Sequence, residues 1–329
     1  MKIKLTITIL ILCFVQQLTA QTQEYKRDLK LMGSGFEIIV IADNNKDCEQ
    51  YIDVAIAEIK RIENIISSWS STSETSDVNR NAGMKPVKVS DELFNLIDRA
   101  INISKLTDGA FDISYASMDK IWKFDGSMSE MPSAEAIKKS VVKVGYQNII
   151  LNKEKSTVFL KLKGMKIGFG AIGKGYAADK AKALLQNMGV KAGVINASGD
   201  MNTWGVQADE KPWKVGITNP VNKEKVFSWF NLTDDAVVTS GNYEKYVKFN
   251  GVTYTHIIDP RTGYPAHGIY SATVFSKSAE LSDALATSIF VMGVETGLDF
   301  INQLNGVECV IVDENLRLHF SNKLKTKEY

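Results

Sequence analysis

Cysteine and histidine are scarce in this chain of 329 residues, with three of each. Cys13, Cys48 and Cys309 are too few and too far apart to form a disulfide framework. Cys48 and Cys309 are therefore expected to be plain buried thiols. His256, His267 and His319 fall at no paired ligand spacing, which argues against a zinc site. A surplus of charge is also missing. The chain carries 39 basic and 38 acidic side chains, and no polybasic tract. That balance excludes nucleic acid and anionic lipid as partners. No long apolar run is present either: Leu5 to Val15 stops at Gln16, short of the ~20 residues that cross a bilayer. The protein is expected not to be transmembrane. Internal repeats and low-complexity linkers are absent, so one compact unit, or two lobes of one unit, is expected.

The first twenty residues have their own pattern. Lys2 and Lys4 precede the apolar run, and Leu18-Thr19-Ala20 supplies a small-residue cleavage site. This is the layout of a secretory signal peptide. The expectation is cleavage after Ala20, leaving residues 21–329 as a single exported, periplasmic domain. Lipid anchoring at Cys13 is the weaker reading, because Leu12 is bulkier than that processing site accommodates.

Periodicity then sketches the elements. A polar segment is followed by a strand from Phe36 to Ala42 and a helix from Asp47 to Ile66. A Ser/Thr-rich turn runs from Ser67 to Ser76 and ends near Asn79. A second helix spans Asp91 to Leu106, with Ser90 as its N-cap. Beyond Tyr146 short strands dominate, among them Gly193 to Asn196, Ala236 to Thr239, Tyr254 to Ile258 and Tyr270 to Phe275. Helices interrupt at Lys174 to Met188 and at Ala279 to Met292. Strands and helices do not alternate regularly, so the fold class is α+β rather than a doubly wound sheet.

The most informative stretch is Gly168 to Asp179, GFGAIGKGYAAD. It follows an apolar, strand-like run from Val158 to Ile167. Gly168, Gly170 and Gly173 spell a dinucleotide fingerprint, G-x-G-x-x-G. Gly168, Gly173 and Lys174 nearly spell a phosphate loop, but Gly175 stands where Ser or Thr should be. Both readings point to a phosphate-bearing ligand, since glycines and a helix N-terminus welcome an anion. Asn196, not an acid, ends the following strand, which disfavours an ordinary dinucleotide domain.

Four further clusters are rich in turn-forming polar residues: TDGAFD at 107–112, NASGD at 196–200, TSGNY at 239–243 and HIIDPRTG at 256–263. Asp283 and Thr287 lie four apart on a helix that is otherwise apolar. That spacing puts a carboxylate and a hydroxyl on one face, both hard oxygen ligands suited to Mg²⁺. A solvated Asp beside a Thr bonded to its own helix is the ordinary alternative.

In their order these clusters resemble the ApbE-type FAD:protein FMN transferases. The likeness runs from about Leu31 to Leu318, starting at Met32-Gly33-Ser34 and ending after DALATSIFVMG at 283–293. It implies an enzyme that uses FAD as substrate and Mg²⁺ as cofactor. FMN would pass to a Ser or Thr hydroxyl of an acceptor protein, an exported or membrane flavoprotein, and AMP would leave. It implies that Ala171, Asp283 and Thr287 hold the metal. Lys174 would neutralise nucleotide charge. Met32, Trp69, Ala110, Phe111, Asp112, His256 and Ile257 would line the flavin site. Three departures stand out: Gly168 replaces an Asp, Tyr115-Ala116-Ser117 replaces V-G-P, and Trp69 replaces a Tyr. The general base is left open among His256, Asp259 and a carboxylate of the Asp283 cluster. Competing functions are hydrolysis of FAD to FMN and AMP in the same site, a non-catalytic flavin-binding protein, and a structural protein of the cell envelope.

Overall fold

Eight antiparallel strands lie side by side in the order in which the chain makes them. They are β1 (Gln23–Leu31), β2 (Ser34–Ala42), β3 (Ala192–Ala197), β4 (Asp200–Trp204), β5 (Ala236–Gly241), β6 (Ile269–Ser276), β7 (Glu308–Asp313) and β8 (Leu318–Phe320). The computed structural model describes residues 23–219, 222, 226–241 and 246–325. The expected signal peptide with Cys13, and Asn242 and Tyr243 of the TSGNY cluster, lie outside the described residues.

The sheet buries both faces by strict alternation. Ile38 and Val40 of β2, Ile195 of β3, Val238 of β5 and Val274 of β6 face a layer of helices. Their neighbours Ile39, Ile41, Val194, Val237 and Phe275 face the other side. There a hairpin, Trp213–Thr218 with Val226–Leu232, covers the sheet through Trp213, Ile217 and Phe230. The helices include α1 (Asn45–Ile66), α2 (Glu74–Arg80), α3 (Asp91–Leu106), α4 (Ala134–Ser140), α5 (Gly173–Asn187), α6 (Ala279–Met292) and α7 (Val294–Asn302). Helix α5 packs between α1 and α6, and α6 lies on β5 and β6. Cys48 and Cys309 are buried free thiols, as the composition implied.

This is an α+β architecture, and α3 begins where expected, with the Ser90 hydroxyl accepting from Leu93 N at 3.2 Å. Four expectations need correction. The polar opening segment is strand β1, an edge strand whose outward residues meet water, so polarity there carries no loop signal. The turn from Ser67 to Ser76 already contains the start of α2, which Ser73 caps through Ser76 N at 3.0 Å. Strand pairing before the Gly-rich turn ends at Leu160, not Ile167. With no strand leading into α5 and every sheet pair antiparallel, the βαβ geometry of a dinucleotide fold is absent among the described residues. The strand expected to reach Ile258 stops at Thr255, which leaves His256 just beyond its end.

Candidate functional site

The Gly-rich turn is held by an amide clamp. Asn79 accepts from Ile167 N at 2.8 Å and donates to the Ile167 carbonyl at 3.0 Å, fixing the backbone one residue before Gly168. At the start of α5, Ile172 supplies no side-chain cap. Asp283 of α6 does so instead, its Oδ2 accepting from Gly175 N at 3.2 Å. Gly175 has a packing reason to be glycine. A Cβ there would stand 2.1 Å from the Ala279 carbonyl oxygen, so α5 and α6 could not approach as they do. The near-match to a phosphate loop fails at that position because the helix crossing demands glycine.

Helix α6 is anchored in return by α5. Asp179 accepts from Ala279 N at 2.8 Å, from Glu280 N at 3.0 Å and from the Ser278 hydroxyl at 2.7 Å. A carboxylate at a helix N-terminus satisfies orphan N–H groups and suits the helix dipole. The last residue of GKGYAAD thus positions the helix that carries Asp283 and Thr287. Ala284, Leu285, Ala286 and Ile289 turn into the core, while Asp283 and Thr287 turn into a cleft. The Thr287 hydroxyl lies 3.3 Å from that of Ser240 at the end of β5.

Strands β3 and β4 are joined by Ser198 and Gly199, both at positive φ (59° and 99°), the backbone of a tight hairpin. This turn delivers Asp200 into the same cleft. Lys174 forms an ion pair with Asp200 and lies 3.9 Å from Asp283 Oδ2. Both carboxylates are buried, at 3% exposure each. Burial raises the Asp200 and Asp283 carboxyls above the usual range, and the neighbouring charge of Asp283 adds to the rise at Asp200. At Lys174 burial works to lower the pKa, but the two carboxylates outweigh it and the net direction is up.

One ammonium therefore serves two buried acids, paired with Asp200 Oδ2 and standing 3.9 Å from Asp283 Oδ2. An unbalanced buried charge is costly. A hard divalent cation would offset the excess of negative charge and leave positive charge to meet a phosphate. The donors on offer are the Asp283 carboxylate, the Thr287 hydroxyl and the Ala171 carbonyl, all oxygen, with Asp200 alongside. Among the described residues no group of three or more His, Cys, Asp or Glu surrounds the point. That suits Mg²⁺, which takes one or two carboxylates and completes its shell with water and substrate phosphates. The residues fit the cation that the sequence implied.

The cleft has a volume of about 590 Å³, within the range of small-molecule sites. It brings together Trp69, Ala110, Phe111, Asp112, Ala171 and Lys174 with His256, Ile257, Asp283 and Thr287. Trp69 stands at the surface, 84% exposed, with the Lys120 ammonium 4.7 Å from its ring centre. Asp112 uses its two oxygens on Ser114 N and Tyr146 N, at 2.7 Å each. It shapes the wall through the backbone, and burial raises its carboxyl pKa.

Two expected residues do not line the cavity. Met32 sits behind it at a positive-φ turn (48°), its Cε 3.8 Å from where a Gly173 Cβ would be. Asp259 is held in the DPRTG turn, both oxygens paired with Arg261 at 2.9 Å. Of the two residues named as catalytic bases, His256 faces the cleft and Asp259 does not. Reading by motif noted Asp200 and Ser240 within clusters and Tyr115 within a departure, but gave none of the three a role. An acid directly after a hairpin turn was a usable signal for Asp200, and a strand-end hydroxyl for Ser240. Nothing local singles out Tyr115. Two of the departures from the family pattern meet here: a Cβ on Gly168 would lie 3.1 Å from Ala116 Cβ and 3.8 Å from the Tyr115 hydroxyl.

Comparison with known proteins bears on the family and the fold. The ApbE family matches residues 32–311. A protein of Klebsiella pneumoniae (strain 342), named FAD:protein FMN transferase, is 32% identical over 259 residues, covering 78% of this chain and 80% of that one. One of the same name from Treponema pallidum (strain Nichols) is 28% identical over 318 residues, covering 92% and 88%. Among solved structures, the ApbE protein of Thermotoga maritima superposes with a TM-score of 0.84 at 30% identity, covering 93% of this chain and all of its own. A flavin transferase ApbE from Vibrio cholerae reaches 0.82 at 24% identity, which speaks for the fold alone.

Proposed function

This chain belongs to the ApbE family, and on that premise we propose that it transfers FMN from FAD to a Ser or Thr hydroxyl of an exported or membrane flavoprotein, releasing AMP. The observation that carries the reading is the meeting of Lys174, Asp200, Asp283, Thr287 and His256 in one cleft of nucleotide size.

In this reading the aromatic and apolar wall (Trp69, Ala110, Phe111 and Ile257) holds the flavin end of FAD, and the diphosphate lies over the turn before α5. Asp283, Thr287 and the Ala171 carbonyl would hold Mg²⁺, which when bound supplies Lewis-acid neutralisation of the diphosphate. Lys174 meets the negative charge that builds on the leaving phosphate. His256 takes the proton from the acceptor hydroxyl as a new oxygen–phosphorus bond forms at the FMN phosphate. The bond from that phosphorus to the bridging oxygen breaks, and AMP departs. Asp259 and Arg261 stiffen the turn that carries His256. Export is part of the proposal, and among the described residues no helix is long and apolar enough to cross a membrane.

The test is to incubate the purified protein with FAD, Mg²⁺ and a flavoprotein domain bearing a candidate hydroxyl, then follow protein mass and AMP. A mass gain equal to one FMN, matched by AMP, is the expected result. AMP with free FMN and unmodified acceptor would replace transfer by hydrolysis. Unchanged FAD would overturn the reading.

A further inference from the structure

The segment Ile113–Ser117 is pinned onto the approach to the Gly-rich turn. Gly168 N donates to the Ile113 carbonyl at 2.9 Å. The Ser117 hydroxyl bonds both the carbonyl and the N–H of Lys166, at 2.7 Å each. Asp112 caps the segment through Ser114 N at 2.7 Å. With its backbone fixed on both sides, Tyr115 reaches over the turn and into the cleft.

Its hydroxyl ends directly above Gly170, 2.5 Å from where a Cβ would stand. The absence of a side chain at 170 is what lets it lie there. Tyr115 shares the cavity with Lys174 and Asp283. A phenol has a single proton to donate and two lone pairs. Placed above Gly170 in the cleft, the hydroxyl has that proton to offer a bound ligand. Tyr115, Gly170, Ala171 and Lys174 line that same cavity. A ligand seated against Lys174 presents acceptor-only oxygens if it carries a phosphate.

We propose that Tyr115 is a substrate-binding residue of this cleft, whose hydroxyl donates a hydrogen bond to a diphosphate oxygen of FAD and helps to set where the scissile phosphate sits. The proposal rests on the FAD reading above and names a contact that reading does not need. It also explains why Gly170 must stay bare: a methyl group there would displace the hydroxyl from the position it uses.

Tyr115→Phe tests it, because the ring and its packing stay and only the hydroxyl goes. Binding is measured by quenching of flavin fluorescence, with FAD and with riboflavin, alongside thermal unfolding. A hydrogen bond to a charged oxygen predicts a loss of FAD affinity of about tenfold or more. Riboflavin affinity and the unfolding midpoint should hold. FAD affinity within twofold of wild type would overturn the proposal. So would a parallel loss for riboflavin or a lowered midpoint, since either makes Tyr115 a packing residue. Failure of the wild-type protein itself to bind FAD would sink the underlying reading, an outcome distinct from wild type and variant binding alike.

Discussion

Lys174 Nζ lies 3.9 Å from Asp283 Oδ2 while the same ammonium pairs with Asp200. Residues from the Gly-rich turn, the β3–β4 hairpin and helix α6 thus form one charged group, and its excess of acid is what the proposed cation would offset.

Asp283→Asn should keep the acceptor for Gly175 N and remove the buried charge. The expected outcome is an unchanged or slightly raised melting temperature together with at least ~100-fold less transfer. Thr287→Ala should cost less, about tenfold, because a neutral hydroxyl is the weaker ligand. Titrating activity against Mg²⁺ decides it. An Asn variant with wild-type metal dependence would assign Asp283 to helix capping alone.

His256→Asn should slow transfer by roughly 10²–10⁴-fold, the usual contribution of a general base, while FAD binding stays within a few-fold. Asp259→Asn should leave more activity, because that carboxylate is spent on Arg261. Single-turnover rates of the two variants, compared side by side, check the assignment. The reverse order would move the base to Asp259.

Asp179→Ala removes the acceptor shared by Ala279 N, Glu280 N and the Ser278 hydroxyl. Loss of a helix cap with buried donors left unpaired should destabilise by about 2 kcal/mol or more. Activity should fall further than the unfolded fraction accounts for, since α6 carries two of the proposed metal ligands. Calorimetry and steady-state kinetics on one preparation separate the two effects.

Gly175→Ala should be poorly tolerated, although alanine is the better helix former. Its Cβ would meet the Ala279 carbonyl oxygen at 2.1 Å, a backbone atom that cannot swing aside. Overpacking of this kind costs roughly 1–3 kcal/mol. A melting temperature equal to wild type would show that the two helices can separate cheaply.

Acid should weaken the contact between α1, α3 and α5. Hydrogen bonds from Arg61 draw the Glu92 carboxyl down to about 2, against the opposing effect of burial and with help from the Tyr176 hydroxyl. A carboxyl whose pKa is lower in the folded state contributes stability above its unfolded value, about 4.5. That contribution drains away as pH falls from there toward 2. Replacing Arg61 by Met should lower stability at pH 7 and shrink the drop between pH 7 and pH 3. Urea midpoints at the two pH values measure it.

The sequence by itself determined the fold class, α3 with its Ser90 cap, and the helix that sets Asp283 and Thr287 four residues apart. Each of these depends on spacing within one segment, where periodicity and capping act. It also supplied the order of motifs by which the family is known. Only the tertiary structure decided where the motif residues sit and what they bond. It took Asp259 out of the cleft by pairing it with Arg261, and placed Met32 behind the wall. It added Asp200 and the hydroxyl of Tyr115, and turned Asp179 from a motif residue into the cap of α6. It also showed a polar opening segment to be an edge strand. The cleft is assembled from loops at strand ends that are far apart in the chain. Which of their side chains meet is set by how closely α5 and α6 pack, down to a missing Cβ at Gly175, and no local pattern encodes that distance.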